Sequence, residues 1–251
     1  MLNDLAEDGS SPVSGPGRAG IKYLLIPRQE YNAPEPYFRR MWAGGSIVWN
    51  TSSTSRPLIL GSTVAQKISI PKAELKSGML FVHQQLDLFP ANENGEVEDE
   101  WALREIRTHV FREEVQAQNK RVQARPKDTL DFPPHSFTFS FTPSPALLFR
   151  YSALTFNGHR IHYDLEWTRT VEGHPDLVFH GPLTATLLME LAQSAGLETH
   201  KRMERFDYRA TSPMYTSREI RLVRYWEGPT LHLRAEQGGR IGMKATAGFV
   251  E

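Results

Sequence analysis

Residues 181–197 read G-P-L-T-A-T-L-L-M-E-L-A-Q-S-A-G-L. Pro182 suits the first turn of a helix, where its missing N–H is no loss. Leu183, Ala185, Leu187, Leu188, Met189, Leu191, Ala192, Ala195 and Leu197 cover more than one face, interrupted by Thr184, Thr186, Glu190, Gln193 and Ser194. A helix this apolar is expected inside a core. Strand-like segments follow at about 205–211, 218–226, 229–237 and 240–250. In the last, Ile241, Met243, Ala245, Ala247 and Phe249 alternate without a break. One buried helix followed by an antiparallel meander is an α+β pattern, with the sheet curling round the helix.

Upstream, F-T-F-S-F at 137–141 alternates strictly and reads as a strand. Ser144 is placed to cap a short helix that opens on Pro145 and runs through Leu154. Residues 155–164 read as a loop leading to another helix. Residues 174–180 hold Pro175 and a short apolar strand from Leu177 to Phe179. Between 38 and 112 the spacing is also strand-like: Ile47 and Trp49, Leu58 and Leu60, Ile68 and Ile70, Leu80 and Val82, Leu86 and Leu88. Residues 113–135 are charged, then proline-rich, and read as a connector. Residues 9–20 are a Gly/Ser/Pro stretch read as a flexible tail.

Composition narrows the function. The 251 residues carry 29 Lys+Arg against 29 Asp+Glu, so no basic excess marks a nucleic-acid or membrane-surface partner. The absence of cysteine excludes disulfides, Cys-ligated zinc, iron–sulfur clusters and thiol nucleophiles. No apolar run approaches the roughly 20 residues that cross a bilayer. The first 20 residues lack the apolar stretch of a signal peptide, and Asp4, Glu7 and Asp8 make them a poor transit sequence. No P-loop, G-x-G-x-x-G or G-x-S-x-G pattern occurs.

Three places carry reactive groups. Asn157, His159, Arg160, His162, Tyr163 and Asp164 cluster in one loop, which could equally be an ordinary polar turn. His159 and His162 would share a helix face, but H-x-x-H without a third ligand is a weak metal signal. His180-Gly181-Pro182 opens the apolar helix. Capping explains much of that triplet, but a glycine at a helix N-terminus also lets an anionic substrate approach backbone N–H groups. F-R-R-M-W-A-G-G at 38–45 reads as a strand bulged at its glycine pair, or as a place where Arg39 or Arg40 meets phosphates.

These segments together resemble the MaoC-like hotdog hydratases and dehydratases, in the branch of mesaconyl-CoA hydratase and the eukaryotic type 2 hydroxyacyl-thioester dehydratases. The resemblance rests on R-R-M-W-A-G-G at 39–45, R-Y-S-A-L-T-F-N-G-H-R-I-H-Y-D at 150–164, H-P-D-L-V-F-H-G-P-L at 174–183 and F-D-Y-R-A-T-S-P-M-Y at 206–215. It covers about 38–251.

The resemblance implies a double hotdog, each unit a curved antiparallel sheet around a central helix. Its parts would be a flexible segment 1–37, a degenerate N-terminal unit 38–115, a linker 116–135 and a catalytic unit 136–251. Bacterial members carry some tens more residues before the R-R-M-W segment, so the first unit is expected to be short of its helix. The apolar faces near Ile47, Trp49 and Leu60 would then need cover, which a homodimer supplies.

The resemblance also implies a hydro-lyase acting on an acyl-CoA or acyl-carrier-protein thioester, without cofactor or metal. Related hydratases carry D-x-N-P-L-H; aligned here, Asn157 falls on its Asp, His162 on its His, and Arg160 replaces its Pro. His162 would be a general acid–base titrating near neutral pH, and Asn157 would position water or the β-hydroxyl. The backbone N–H of Gly181 would hold the thioester oxygen, and Asp164 would orient an imidazole or take a second proton. Arg160, Tyr163, His180, Arg40 and Trp42 would contact substrate. A mitochondrial address follows from the eukaryotic relatives, with the cytoplasm as the alternative. The rival readings are a thioesterase, a biosynthetic-cluster dehydratase on an unusual acyl group, and a non-catalytic scaffold.

Overall fold

A computed structural model describes residues 36–37, 39–52, 55–92, 94–113, 133 and 135–251. Nine strands form one continuous sheet in the order β2-β3-β4-β1-β6-β9-β8-β7-β5, every neighbouring pair antiparallel. They are β1 (Arg39–Trp49), β2 (Val64–Lys76), β3 (Met79–Pro90), β4 (Leu103–Arg112), β5 (Phe137–Phe141), β6 (Arg202–Ala210), β7 (Ile220–Glu227), β8 (Thr230–Gln237) and β9 (Arg240–Val250). Among the described residues three α-helices accompany them: α1 (Pro145–Leu154), α2 (Leu165–Thr170) and α3 (Gly181–Glu198).

The core lies between α3 and the sheet. Leu183, Ala185, Leu188, Ala192 and Ala195 meet Phe206 and Tyr208 of β6, Leu222 of β7, Leu231, Leu233 and Ala235 of β8, and Met243, Ala245 and Ala247 of β9. The period-two alternation of those strands thus faces one helix. α3 is not apolar all round in its setting: Thr186, Glu190, Gln193, Ser194 and Leu197 form an exposed outer stripe. Four of these five are the polar interruptions of the sequence, so the helix is amphipathic with a wide apolar face. Arg224, buried, grips Glu198 through two hydrogen bonds of 2.6 and 2.8 Å and ties the helix's last turn to β7.

Helix α1 begins where the sequence places it, with Ser144 Oγ accepting from Leu147 N–H at 3.2 Å and Pro145 in the first turn. Two short expectations fail. Leu58 and Leu60 lie in an irregular stretch between β1 and β2, Leu60 fully exposed. Leu177 to Phe179 makes one isolated bridge, Val178 to Tyr215, and no strand.

The two halves of the chain meet through β1, which pairs with β4 on one side and β6 on the other. A register shift between Trp42 and Gly44 interrupts its ladder. At Gly44 and Gly45 a Cβ would collide with the carbonyl oxygens of Tyr208 and Ile106, so the glycine pair is what lets the strands close up. No helix occurs among the described residues before Pro145. The expected tail at 1–20 lies outside the described residues, as does nearly all of the 113–135 connector.

Candidate active site

The reactive loop is shaped by the end of α1. Asn157 N–H returns to Ser152 O at 2.8 Å, a bond that closes the helix with Phe156 in the left-handed region at φ 52°. Asn157 Oδ1 then accepts from His159 N–H at 3.2 Å, which turns the chain into a single 3-10 turn, Arg160–His162. Asp164 closes the segment as the N-cap of α2, its Oδ1 accepting from Trp167 N–H at 2.9 Å.

The turn drives His162 inward, to 6% exposure. Its Nδ1 lies 2.7 Å from Val178 O. A carbonyl only accepts, so Nδ1 carries the hydrogen and Nε2 of the neutral ring is a bare proton acceptor. Behind it stands His180, the N-cap residue of α3, with its ring wholly buried. The two imidazoles stack with centroids 3.6 Å apart and planes 16° apart. His180 Nε2 is hydrogen-bonded to Ser152 Oγ at 2.9 Å, and Tyr151 meets the ring edge-on at 4.8 Å. His180 Nδ1 is buried without a partner. His159 lies farther out, its ring 6.5 Å from that of His162.

Burial sets the protonation of this cluster. It pushes His162 down to about 4, with His159 nearby adding to the shift and the Val178 hydrogen bond opposing it. Burial pushes His180 down to about 2, helped by the two neighbouring imidazoles. His159 is lowered too, by burial first and then by the positive charge of Arg40. The expectation of a His162 titrating near neutrality is therefore corrected: the site holds neutral imidazoles at physiological pH.

The other expected residues divide. Arg40, on β1, is near enough for its charge to lower the basicity of His159 and of the buried His109. Gly181 opens α3, and a Cβ there would meet no atom within 4 Å, so the space on that side of Gly181 is open. The first N–H groups of a helix have no intrahelical acceptor, and Pro182 has none to offer, which leaves Gly181 and Leu183 as donors.

Asp164 is not a partner of the imidazole. Its carboxylate caps α2 and binds Arg160 at 2.6 and 3.0 Å, and the Trp167 N–H and that guanidinium hold it below the usual carboxylate range. Arg160 is thereby committed to Asp164 and lies over the Trp167 ring at 5.0 Å. Tyr163 is exposed and donates to Gly158 O at 3.0 Å. Trp42 is used structurally, its Nε1–H donating to Gly44 O at 3.1 Å and its ring meeting Tyr208 edge-on at 5.9 Å. The His180 ring, expected to touch substrate, is sealed away from solvent. Sequence reasoning missed Ser152 and the Val178 carbonyl; both lie inside the motif segments, but nothing in residue type separates them from their neighbours. Among the described residues no three His, Asp or Glu side chains converge as a metal site.

A cavity of about 400 Å³ lies elsewhere, at the far end of α3, lined by Trp49, Leu58, Gly196, Leu197, Met203 and Phe249 among others. Fifteen residue steps along the helix, about 22 Å, separate Gly181 from Gly196.

The profile of hydroxyacyl-thioester dehydratase type 2 matches residues 4–216. The chain belongs to that family. The match reaches well before residue 38, into the stretch read as a tail. Mesaconyl-C(4)-CoA hydratase of Chloroflexus aurantiacus is 33% identical over 224 residues, which is 87% of this chain and 72% of that protein. The mitochondrial hydroxyacyl-thioester dehydratase type 2 of Schizosaccharomyces pombe is 27% identical over 228 residues, 85% of this chain and 73% of that one. In fold, a MaoC-like dehydratase from Phytophthora capsici superposes with a TM-score of 0.64 over 88% of this chain and 74% of its own, at 18% identity. The hydroxyacyl-thioester dehydratase type 2 fold seen here is accordingly the α+β hotdog architecture, an antiparallel sheet wrapped on one long helix.

Proposed function

We propose that this chain interconverts a 3-hydroxyacyl thioester and its 2-enoyl thioester, with His162 as the acid–base group. The family is one of hydro-lyases acting on acyl thioesters, and that reaction class is this chain's. The observation that carries the residue roles is the Val178 carbonyl 2.7 Å from His162 Nδ1, which leaves Nε2 as the one basic atom of the ring. The ring stacks on His180, the N-cap residue of α3, and a Cβ on the next residue, Gly181, would meet open space.

In the dehydration direction Nε2 takes the α-proton. The electrons of that C–H bond become an enolate whose oxygen is held by the Gly181 N–H and the positive end of α3. The enolate expels the β-oxygen, which takes the proton from Nε2 and leaves as water. One ring nitrogen thus acts first as base and then as acid. Asn157 holds the departing or attacking oxygen with its NH2 group, because its amide oxygen is already bound by His159 N–H. Arg40 offers a cation for the phosphates of a coenzyme A or carrier-protein arm.

A homodimer would cover exposed apolar side chains of the first half, Ile59, Leu60 and Leu75 among them. A mitochondrial address is supported by the name of the fission-yeast relative.

The decisive experiment is hydration of crotonyl-CoA and mesaconyl-CoA by the purified chain, followed as loss of enoyl-thioester absorbance. Turnover by wild type that is lost in His162→Ala supports the proposal. A folded protein that consumes no enoyl thioester overturns it.

A further inference from the structure

The structure assigns to His180 and Ser152 the task of positioning the His162 imidazole, as a sealed second layer that never touches substrate. This rests on the reading of His162 as the acid–base group.

The His180 ring is held by three contacts. One face lies on His162 at 3.6 Å, Tyr151 meets it edge-on at 4.8 Å, and Nε2 is bound by Ser152 Oγ at 2.9 Å. The remaining nitrogen, Nδ1, is buried with no partner. At a position that only filled space, an apolar ring would pack as well without that orphan nitrogen. A histidine there instead lets Nε2 be pinned from α1, and its plane then fixes the plane of His162. His162 is so held by two independent contacts: its edge by the Val178 carbonyl, its face by His180. Ser152, itself 7% exposed, joins helix α1 to this stack across 28 residues of chain.

The stack also controls charge. His180 keeps water from one whole face of His162, so the imidazolium cannot be hydrated there. The titratable groups around His162 are His180 from the start of α3, His159 from its own loop, Tyr151 behind His180 from α1, and Arg40 from β1 acting on His159. The Asp164–Arg160 pair, two residues on, is internally neutralised. None of these supplies a negative charge to favour the imidazolium, so exclusion of water decides its protonation.

His180→Ala opens a void that water can enter, and Ser152→Ala frees the ring to turn. The test reads the His162 imidazole directly, by NMR titration of its ring resonances, beside kcat and KM for crotonyl-CoA. We expect wild-type His162 to titrate near pH 4. In His180→Ala the midpoint should rise toward the ordinary value of about 6.5. Its kcat should fall about ten- to a hundredfold, as loss of alignment does, with KM within about threefold. Ser152→Ala should move both readings in the same direction by less, and it reports even if His180→Ala does not fold. A His162 midpoint and kcat unchanged in both variants overturn the inference, and so does a rise in KM alone, which would mark His180 as a substrate contact. The titration is independent of turnover. A wild type without hydratase activity therefore defeats the functional reading, while an unmoved His162 midpoint defeats only this one.

Discussion

His162 and His180 lie face to face, ring centroids 3.6 Å apart, with His162 at 6% exposure and His180 fully buried. Two imidazoles this close cannot both be charged, and burial leaves neither charged at neutral pH. Both rings are thus neutral at neutral pH, the form in which the proposed base accepts a proton.

Removing His162 should be far costlier than removing its neighbour. His162→Ala is expected to lower kcat by roughly 10²–10⁴, the range for loss of a positioned acid–base group. His159→Ala, whose ring lies 6.5 Å away, should lose less than about tenfold. Steady-state hydration rates for the two variants decide it; the opposite order would displace His162 from its role.

Asn157 should act as a hydrogen-bond donor. Asn157→Ala removes that donor and should raise the barrier by about 1–3 kcal/mol, roughly 10- to 100-fold in rate. Asn157→Asp preserves the bond from His159 N–H but adds a negative charge near the histidines. It should therefore raise the His162 midpoint and move the acid limb of the kcat/KM profile upward. An unshifted limb would place residue 157 away from the base.

Gly181→Ala separates fold from function. The added methyl meets no protein atom within 4 Å, so the melting temperature should hold or rise slightly. Activity should nonetheless fall, because the methyl occupies the space through which a thioester oxygen reaches the backbone N–H. Full activity in this variant would move the oxyanion contact elsewhere.

Asp164→Ala should do the reverse. Losing the cap of α2 should lower the melting temperature by about 2–4 °C. Because Asp164 is bound to Trp167 N–H and Arg160 rather than to His162, kcat should stay within about threefold of wild type. Calorimetry and hydration assays on one preparation test both halves.

Acid should destabilise the protein early. His109 and His162 are pushed down to about 4 and His180 to about 2, all chiefly by burial. An unfolded histidine titrates near 6.5. Between those values the unfolded chain binds protons that the fold refuses, so stability is full above about pH 6.5 and is lost as pH falls. Three such groups contribute a slope of about 4 kcal/mol per pH unit, against a total stability of about 5–15 kcal/mol. Urea midpoints should fall as pH drops from 6.5 to 5, while the protein remains folded in the absence of denaturant. A flat profile across that range would mean the histidines are not buried neutral.

What the sequence disclosed follows the range of the interactions. The run 181–197 and the alternation of 202–250 carry their own periodicity, and the helix and four strands stand within a few residues of expectation. Leu58 and Leu60 failed because two apolar residues two apart occur as readily in irregular chain as in a strand. Asp164 was misread by proximity to His162, although an Asp directly before L-E-W is also a local capping signal. The His162–His180 stack and the Ser152 bond join residues 18 and 28 apart through the tertiary fold, and no local pattern announces them. The low basicity of His162 is a property of its burial, which only the packed structure reveals.

The central place of β1 has a consequence for synthesis. Gly44 pairs with Arg209, 165 residues later in the chain. At about 5–20 residues per second, the ribosome needs roughly 8–30 s to deliver that partner after β1 emerges. Through that interval β1 can pair with β4 but keeps an open edge, the kind that recruits a second nascent chain. The Gly44-Gly45 pair, without side chains to pack, makes that edge a poor template until Tyr208 closes over it.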